Sequence, residues 1–592
     1  MQFDTMVLAI ATAIFTLGFG VGATGSKPGC PVGPLPTVDL GYAVHQATIN
    51  SSGIPTYSFN NIRYAEPPTG ELRFRAPIPP KSVNRTVNNG QNDVICPQAS
   101  PAWLGVQSQM LAGVPASALV NKSHPENANI NISSIPSPDS TVSEDCLFLD
   151  VMVPTSVYNN RYKKKGTSCS NPPALRFFIR DVNFLSRAVP VLVWIYGGGY
   201  ISGSKTITGS PDGLIARAKG GMIYVAMNYR LGVYGYLSGP TFQVDGEANA
   251  GFYDQELALQ WVQKYISKFG GDPDRVTIMG ESAGGGSVMH QITAYGGLKG
   301  KVPFNQAIAQ SPGQFPVTSN AQLDNVLLLT FKYASLVSGT NVTTLQQLRR
   351  LSARDLYNTN YLVNYLAPYG TFPYGPAVDG KFVPKFPAEL LAHGQYPKGL
   401  NVMVGHNLNE GAMFANPFVF AESDFAAVIK TAFPDADEAA IDHIANTMYP
   451  PVFDGSYGYT TQFGRMSLLT GDRAFTCPTR WLNLAFNNKT FAYYFTMSPG
   501  YHGVDVPYTF FNGDTSTLDQ GYPVNATVAY ALQDYITSFT MTGSPNAVVQ
   551  PFFPIYGANS STQVLSLENL GTQVTDTAAN YRCDWWQKSL FY

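Results

Sequence analysis

Short runs rich in aliphatic, aromatic and β-branched residues recur along the chain, at residues 191–196, 222–227, 275–279, 401–404 and 490–495. Several are almost uninterruptedly apolar, the pattern of central strands buried on both faces of a largely parallel sheet. Helical spacing lies between them. It is clearest over residues 254–269, where Leu257, Leu259, Trp261, Val262, Tyr265, Ile266 and Phe269 recur near helical spacing. Strands alternating with helices predict an α/β fold with crossover connections. Two segments break this pattern and read as surface insertions. Residues 121–140 are rich in Asn, Ser and Pro, and residues 157–187 carry the basic run Lys163-Lys164-Lys165, read as a solvated loop rather than an anion site. No internal repeat and no dividing linker is evident.

Composition narrows the class. The 592 residues would make roughly four domains at about 150 residues each, but large α/β enzymes keep one sheet over longer chains. With 44% hydrophobic residues the chain can bury a sizeable core, which excludes a disordered or fibrous protein. There are 37 basic and 39 acidic side chains, a net charge of −2. Such a balance offers no field to gather phosphate backbones or an anionic membrane, so no nucleic-acid partner is expected.

The leader and the surface point to secretion. Residues 6–21 are uncharged and apolar and are followed by Gly22, Ala23 and Thr24. That length falls short of a membrane span of about 20 residues but suits a signal peptide, here taken as residues 1–23 with a single domain over 24–592. Asp4 and the lack of Lys or Arg before the run argue the other way, toward an uncleaved anchor. Eight N-x-S/T triplets, at Asn50, Asn84, Asn121, Asn131, Asn341, Asn488, Asn525 and Asn559, favour a glycosylated extracellular protein without stable membrane insertion. The six cysteines, Cys30, Cys96, Cys146, Cys169, Cys477 and Cys583, have no metal-site spacing and read as disulfides, with every pairing open.

The chemistry concentrates around Gly280-Glu281-Ser282-Ala283-Gly284. A β-run leads into this G-x-S-x-G and a helix-compatible segment follows, the context of a nucleophile elbow. The glycines on either side let strand and helix approach, and a serine near a helix N-terminus has backbone N–H groups aimed at developing negative charge. Upstream, the run at 191–196 enters Gly197-Gly198-Gly199, whose N–H groups can face an oxyanion without a Cβ in the way. A serine of this kind needs a base. His290 lies too close, on the following helix, and His443 sits in an ordinary helical pattern. His502, between glycines just after the run at 490–495, is well placed; His393 and His406 also remain. For the acid, Glu410 follows the run at 401–404, and Asp379 is its rival although it reads as a turn residue.

Further motifs carry a resemblance. Ile62-Arg63-Tyr64-Ala65-Glu66-Pro67-Pro68, Ser143-Glu144-Asp145-Cys146-Leu147, Asn228-Tyr229-Arg230-Leu231-Gly232, Phe269-Gly270-Gly271-Asp272-Pro273, the serine motif, Val378-Asp379-Gly380 and Thr542-Gly543-Ser544-Pro545-Asn546 follow one another in order. Together they resemble the type-B carboxylesterase, cholinesterase and lipase family over nearly the whole chain. The resemblance implies an α/β-hydrolase fold, a large mostly parallel sheet flanked by helices, and hydrolysis of a small-molecule or lipid ester without metal or cofactor. It makes Ser282 the nucleophile, Glu410 the acid, His502 the base, and Gly198, Gly199 and Ala283 the oxyanion donors. It also pairs Cys96 with Cys146 over the active-site mouth and Cys477 with Cys583. Cys30 and Cys169 are left to pair with each other. Tyr196 stands where many members have histidine. Three alternatives stay open: a lipase with a lid in the Cys96–Cys146 loop, a choline esterase using Trp103, and a silent adhesion module. Gln314, Phe315, Phe372 and Tyr374 are candidate walls of the substrate pocket.

Overall fold

The computed structural model describes residues 35–591 except 52, 92, 115–117, 120–131, 163–187, 316, 318, 514–517, 520–521 and 547–549. The proposed leader, Cys30, Cys169, Asn121, Asn131 and the Lys163-Lys164-Lys165 run lie outside the described residues. None of the described elements falls in the unit formed by residues 1–36, and residues 37–592 form the other compact unit.

Eleven strands build the main sheet: β1 Thr48–Asn50, β2 Thr56–Arg63, β3 Phe148–Pro154, β4 Val189–Ile195, β5 Ile223–Met227, β6 Gly271–Glu281, β7 Gln306–Gln310, β8 Asn401–Asn407, β9 Phe491–Phe495, β10 Ser561–Leu565 and β11 Gln573–Thr575. Their order is β11-β10-β9-β8-β7-β6-β4-β5-β3-β2-β1. Strands β4 to β10 are parallel, and antiparallel strands close both edges. Every residue of β4 and β5 is buried. That is why those runs carry no polar alternation: helices cover both faces of a parallel sheet.

The five apolar runs of the sequence fall in β4, β5, β6, β8 and β9, with shifted ends. β6 begins at Gly271, four residues before the expected start, because Asp272 and Pro273 look like turn residues yet continue the strand. The helical pattern becomes α1, Ala250–Tyr265, followed by a 3₁₀ turn over Ile266–Phe269. The segment read as an insertion from residue 157 opens inside a helix. Thr155–Asn160 is a helix whose buried Tyr158 packs edge-on against Tyr57 at 5.6 Å and beside Phe59 at 5.4 Å. His443 opens a π-helical turn, His443–Met448, instead of continuing an ordinary helix.

Two disulfides join Cys96 to Cys146 and Cys477 to Cys583. The second closes 106 residues of chain, for which loop entropy gives about 4.7 kcal/mol. No helix among the described residues is long and apolar enough to cross a membrane.

Candidate active site

The ends of β4, β6, β7, β8 and β9 converge at one edge of the sheet, where α/β proteins place their ligands. After β6, Ser282 adopts φ 58° and ψ −123° before α2, Ala283–Thr293, begins. A non-glycine residue rarely holds that backbone, and here the packing enforces it. A Cβ on Gly284 would sit 2.0 Å from the Ile195 carbonyl oxygen, and one on Gly280 would sit 2.5 Å from Gly284. Strand, elbow and helix are therefore closer than any other residue allows. The Ser282 carbonyl accepts from Gly286 N and Gly313 N, and Ser282 N donates to Gln310 O.

After β4 the chain turns through Gly198 at φ 108° and Gly199 at φ 62°. Tyr196 anchors this loop. Its ring stacks on Tyr229 at 4.4 Å, and each hydroxyl donates to the other residue's carbonyl. Among the described residues the backbone N–H groups of Gly198, Gly199 and Ala283 donate to no backbone carbonyl.

His502 lies seven positions past the last residue of β9, and its Nδ1 meets Glu410 Oε2 at 2.6 Å. Glu410, on the turn that follows β8, is itself fixed. Its Oε1 accepts from Ser311 Oγ at 2.6 Å and from Asn407 N at 2.5 Å. The rival acid Asp379 is elsewhere, accepting from Asn249 Nδ2 and from the backbone of Lys381 and Val383 as a turn residue does. Phe475 and Phe414 pack on the imidazole at 3.9 and 5.2 Å. His502 Nε2 has no hydrogen-bond partner among the described residues, so the Ser282 hydroxyl and the imidazole are not bonded to each other.

A second carboxyl also faces that ring. Glu281 Oε1 is 3.3 Å from His502 Nε2. Burial, reinforced by Asp505 and Glu410 and opposed by His502, pushes the Glu281 carboxyl up to about 8. Burial pulls His502 down, but Glu281 and Glu410 together raise it above its ordinary value. A third carboxyl, Asp505, accepts from Tyr493 OH at 2.6 Å and from Asn407 Nδ2 at 3.2 Å, and burial raises it. Sequence reading missed Glu281, Ser311 and Asp505. Glu281 stands inside the serine motif and Asp505 three residues after His502, but neither position announces its chemistry.

Gly199, Ser282, Ala283, Gly313, Phe315 and Phe372 line one narrow pocket, together with Tyr374 and Phe414. Phe315, Phe372 and Tyr374 were expected there; Gln314 lies next door instead. Phe372 closes tightly on the glycine loop, since a Cβ on Gly199 would come within 2.5 Å of its ring. Trp103, from the helix Trp103–Leu111 inside the Cys96–Cys146 loop, is fully buried behind this wall. It packs against Tyr369, Phe372 and Phe414 and donates its Nε1–H to Thr371 O. It offers no open face to a cation.

Of the described sequons, Asn84, Asn341 and Asn559 are exposed. Asn50 is half-buried, its Nδ2 donating to Asp212 Oδ2 at 2.7 Å. Asn488 is half-buried, and Asn525 caps the helix Ala526–Thr542.

A strained serine between strand and helix, beside a carboxylate-held imidazole and a glycine loop, is the architecture of an α/β-hydrolase. Residues 44–586 match the carboxylesterase family, and the chain belongs to it. It is 39% identical to the carboxylesterase patB of Penicillium expansum over 94% of this chain and 96% of that one. It is 29% identical to a secreted lipase 1 of Botryotinia fuckeliana, covering 90% of each. The crystal structure of Aspergillus niger EstA superposes with a TM-score of 0.73 at 26% identity, covering 94% of this chain and 98% of EstA. The protein is a carboxylic ester hydrolase, and its two described disulfides and secreted relative fit an extracellular location.

Proposed function

We propose that Ser282 attacks the ester carbonyl, with His502 as general base and Glu410 as its orienting acid. The observation that carries this is the 2.6 Å contact between His502 Nδ1 and Glu410 Oε2, with Nε2 making no hydrogen bond and lying 3.3 Å from Oε1 of Glu281, the residue before Ser282. Nε2 accepts the hydroxyl proton while Glu410 fixes the tautomer and offsets the imidazolium charge. The N–H groups of Gly198, Gly199 and Ala283 hold the oxyanion, each donor being worth on the order of 10²–10³ in rate. The imidazolium then protonates the leaving alcohol, an acyl-Ser282 remains, and water attacks it by the same route.

The narrow aromatic pocket favours a compact acyl group over a long fatty chain. The leader over residues 1–23 acts as a signal peptide for the single domain 24–592, and the exposed sequons Asn84, Asn341 and Asn559 are the preferred glycan sites. Hydrolysis of p-nitrophenyl esters from acetyl to palmitoyl, by wild type and Ser282→Ala, tests the reading. Short-chain activity that disappears in the variant is expected. A maximum at palmitoyl would replace the esterase reading with a lipase, and full activity in Ser282→Ala would overturn the mechanism.

A further inference from the structure

A groove of about 470 Å³ opens on the surface and shares no lining residue with the reaction pocket. That volume lies within the roughly 300–1,000 Å³ of ligand sites. Helix α3, Asn320–Ser338, forms one wall, presenting Asp324, Leu327, Leu328, Phe331 and Ser335 at helical spacing. Leu327 is buried, but Phe331 is half-buried and Leu328 is 62% exposed. A concave site with an open leucine beside an aromatic ring gains from being covered.

The chain that follows α3 brings an occupant with it. It returns as Asn341-Val342-Thr343, and all three residues line the groove. Val342 is buried, and its N–H donates to Ser335 Oγ at 2.9 Å, so this stretch is fixed against the helix. Asn341 and Thr343 are exposed and form one of the N-x-T sequons. A glycan on Asn341 therefore starts in the wall of the groove. At the other end, Asp324 accepts from Thr241 Oγ1 at 3.0 Å, and both residues line the groove. Asp324 stands eleven positions before Ser335 on α3, about 16 Å along a helix axis at about 1.5 Å per residue. A pyranose ring has C–H faces for Leu328 and Phe331 and hydroxyls for Thr241, Asp324 and Lys332, which also lines the groove. An attached sugar meets these walls as an intramolecular partner, so weak contacts suffice to seat it.

We propose that Asn341 carries an N-linked glycan whose first sugars lie in this groove and cover Leu328 and Phe331. The proposal rests on the reading of the chain as a secreted glycoprotein. The Asn341 amide nitrogen attacks the anomeric carbon of N-acetylglucosamine in a lipid diphosphate-linked oligosaccharide. The C–N bond forms, the C–O bond to the diphosphate breaks, and the amide gives up one proton. The glycan is then a built-in cover for an apolar stripe that water would otherwise face.

The test uses the full chain secreted from a eukaryotic host. Asn341→Gln and Thr343→Ala remove the sequon in two independent ways, and Asn559→Gln is the control. Glycopeptide mapping reads occupancy, and hydroxyl-radical footprinting reads the exposure of Leu328 and Phe331. Asn341 should be occupied in the wild type. Oxidation of Leu328 and Phe331 should rise several-fold in both sequon variants and stay at the wild-type level in Asn559→Gln. Leu567, itself 51% exposed, serves as the internal reference. Removing the glycan enzymatically from the folded wild-type protein should give the same rise, and it decides the matter if a variant misfolds.

An empty Asn341 beside occupied sequons elsewhere, or unchanged oxidation of Leu328 and Phe331 once the glycan is gone, would overturn the proposal and leave the other glycan sites standing. If no sequon carries a glycan, the glycoprotein reading falls and this proposal falls with it.

Discussion

Two buried histidines flank the end of β8, and each is held by a carboxylate. His502 Nδ1 meets Glu410 at 2.6 Å, and His406 Nε2 meets Asp576 at 3.1 Å. The difference lies in the other nitrogen. His406 Nδ1 contacts the Asn407 carbonyl oxygen at 3.2 Å, while Asp576 is further held by Tyr556 OH and Ala578 N. Both edges of that ring are therefore engaged, and it packs tilted against Tyr494 at 4.9 Å. His502 Nε2 makes no hydrogen bond among the described residues, although the Glu281 carboxyl lies 3.3 Å from it. A carboxylate partner thus makes a histidine basic, but only an uncommitted second nitrogen lets it move a proton. In the proposed mechanism the first pair serves catalysis, while the second ties β8 to the chain around Asp576.

Substituting the two histidines should separate these roles most sharply. His502→Ala should lower kcat by on the order of 10⁴–10⁶ with little change in Tm. His406→Gln should do the reverse, lowering Tm while the surviving folded enzyme keeps its kcat. Equal losses of kcat in both would erase the distinction. The carboxylates give the next contrast. Glu410→Gln should cost about 10⁴ in kcat through the wrong tautomer, whereas Asp576→Asn should remove about 3–5 kcal/mol of stability by stranding a buried partner. Titration of active sites and thermal melts on the same samples would read both.

The second contrast depends on pH. Burial lowers His406, but the Asp576 hydrogen bond and charge raise it above its ordinary 6.5. Burial raises Asp576, but His406 holds it below its ordinary 3.8. The pair is therefore fully stabilising between those ordinary values. Its contribution is lost as pH falls through the folded value of Asp576 or rises through the folded value of His406. The Tm gap between wild type and Asp576→Asn should be widest between about pH 4 and 6.5 and should shrink at higher pH. A gap that widens above pH 8 would contradict the ion pair.

A smaller effect is expected at Glu281. Its charge raises His502 against burial, but burial keeps that carboxyl largely protonated up to about 8. Glu281→Gln should therefore leave the acidic limb of the kcat/KM profile nearly in place and alter the profile only near pH 8, where the Glu281 charge develops. A large shift of the acidic limb would contradict the raised Glu281 carboxyl.

The same contrast explains what could be read from sequence. The elbow was legible because steric limits force glycine at 280 and 284, leaving a local trace in residue types. His502 and Glu410 were legible from their place just beyond strand ends, with the family resemblance deciding between Glu410 and Asp379. The Glu281 and Asp505 carboxyls were not, since their roles arise only when β6, β7, β8 and β9 are brought side by side. His406 looks as available as His502 in the sequence; its partner Asp576 is 170 residues away. β7 escaped notice because Gln306-Ala307-Ile308-Ala309-Gln310 is short and ends in polar residues. Its glutamines are polar for a tertiary reason: Gln310 Nε2 donates to Tyr493 OH and Thr509 Oγ1 inside the core.

The most direct test of the account is covalent. Incubating the enzyme with diethyl p-nitrophenyl phosphate should release one p-nitrophenolate per chain, and mass mapping should place a single diethylphosphoryl group on Ser282. His502→Ala should label on the order of 10³-fold more slowly or not at all, and His406→Gln at the wild-type rate. A phosphoryl group on any other residue, or equal labelling of the His502→Ala protein, would contradict the proposal that Ser282 is activated by the histidine whose Nε2 makes no hydrogen bond.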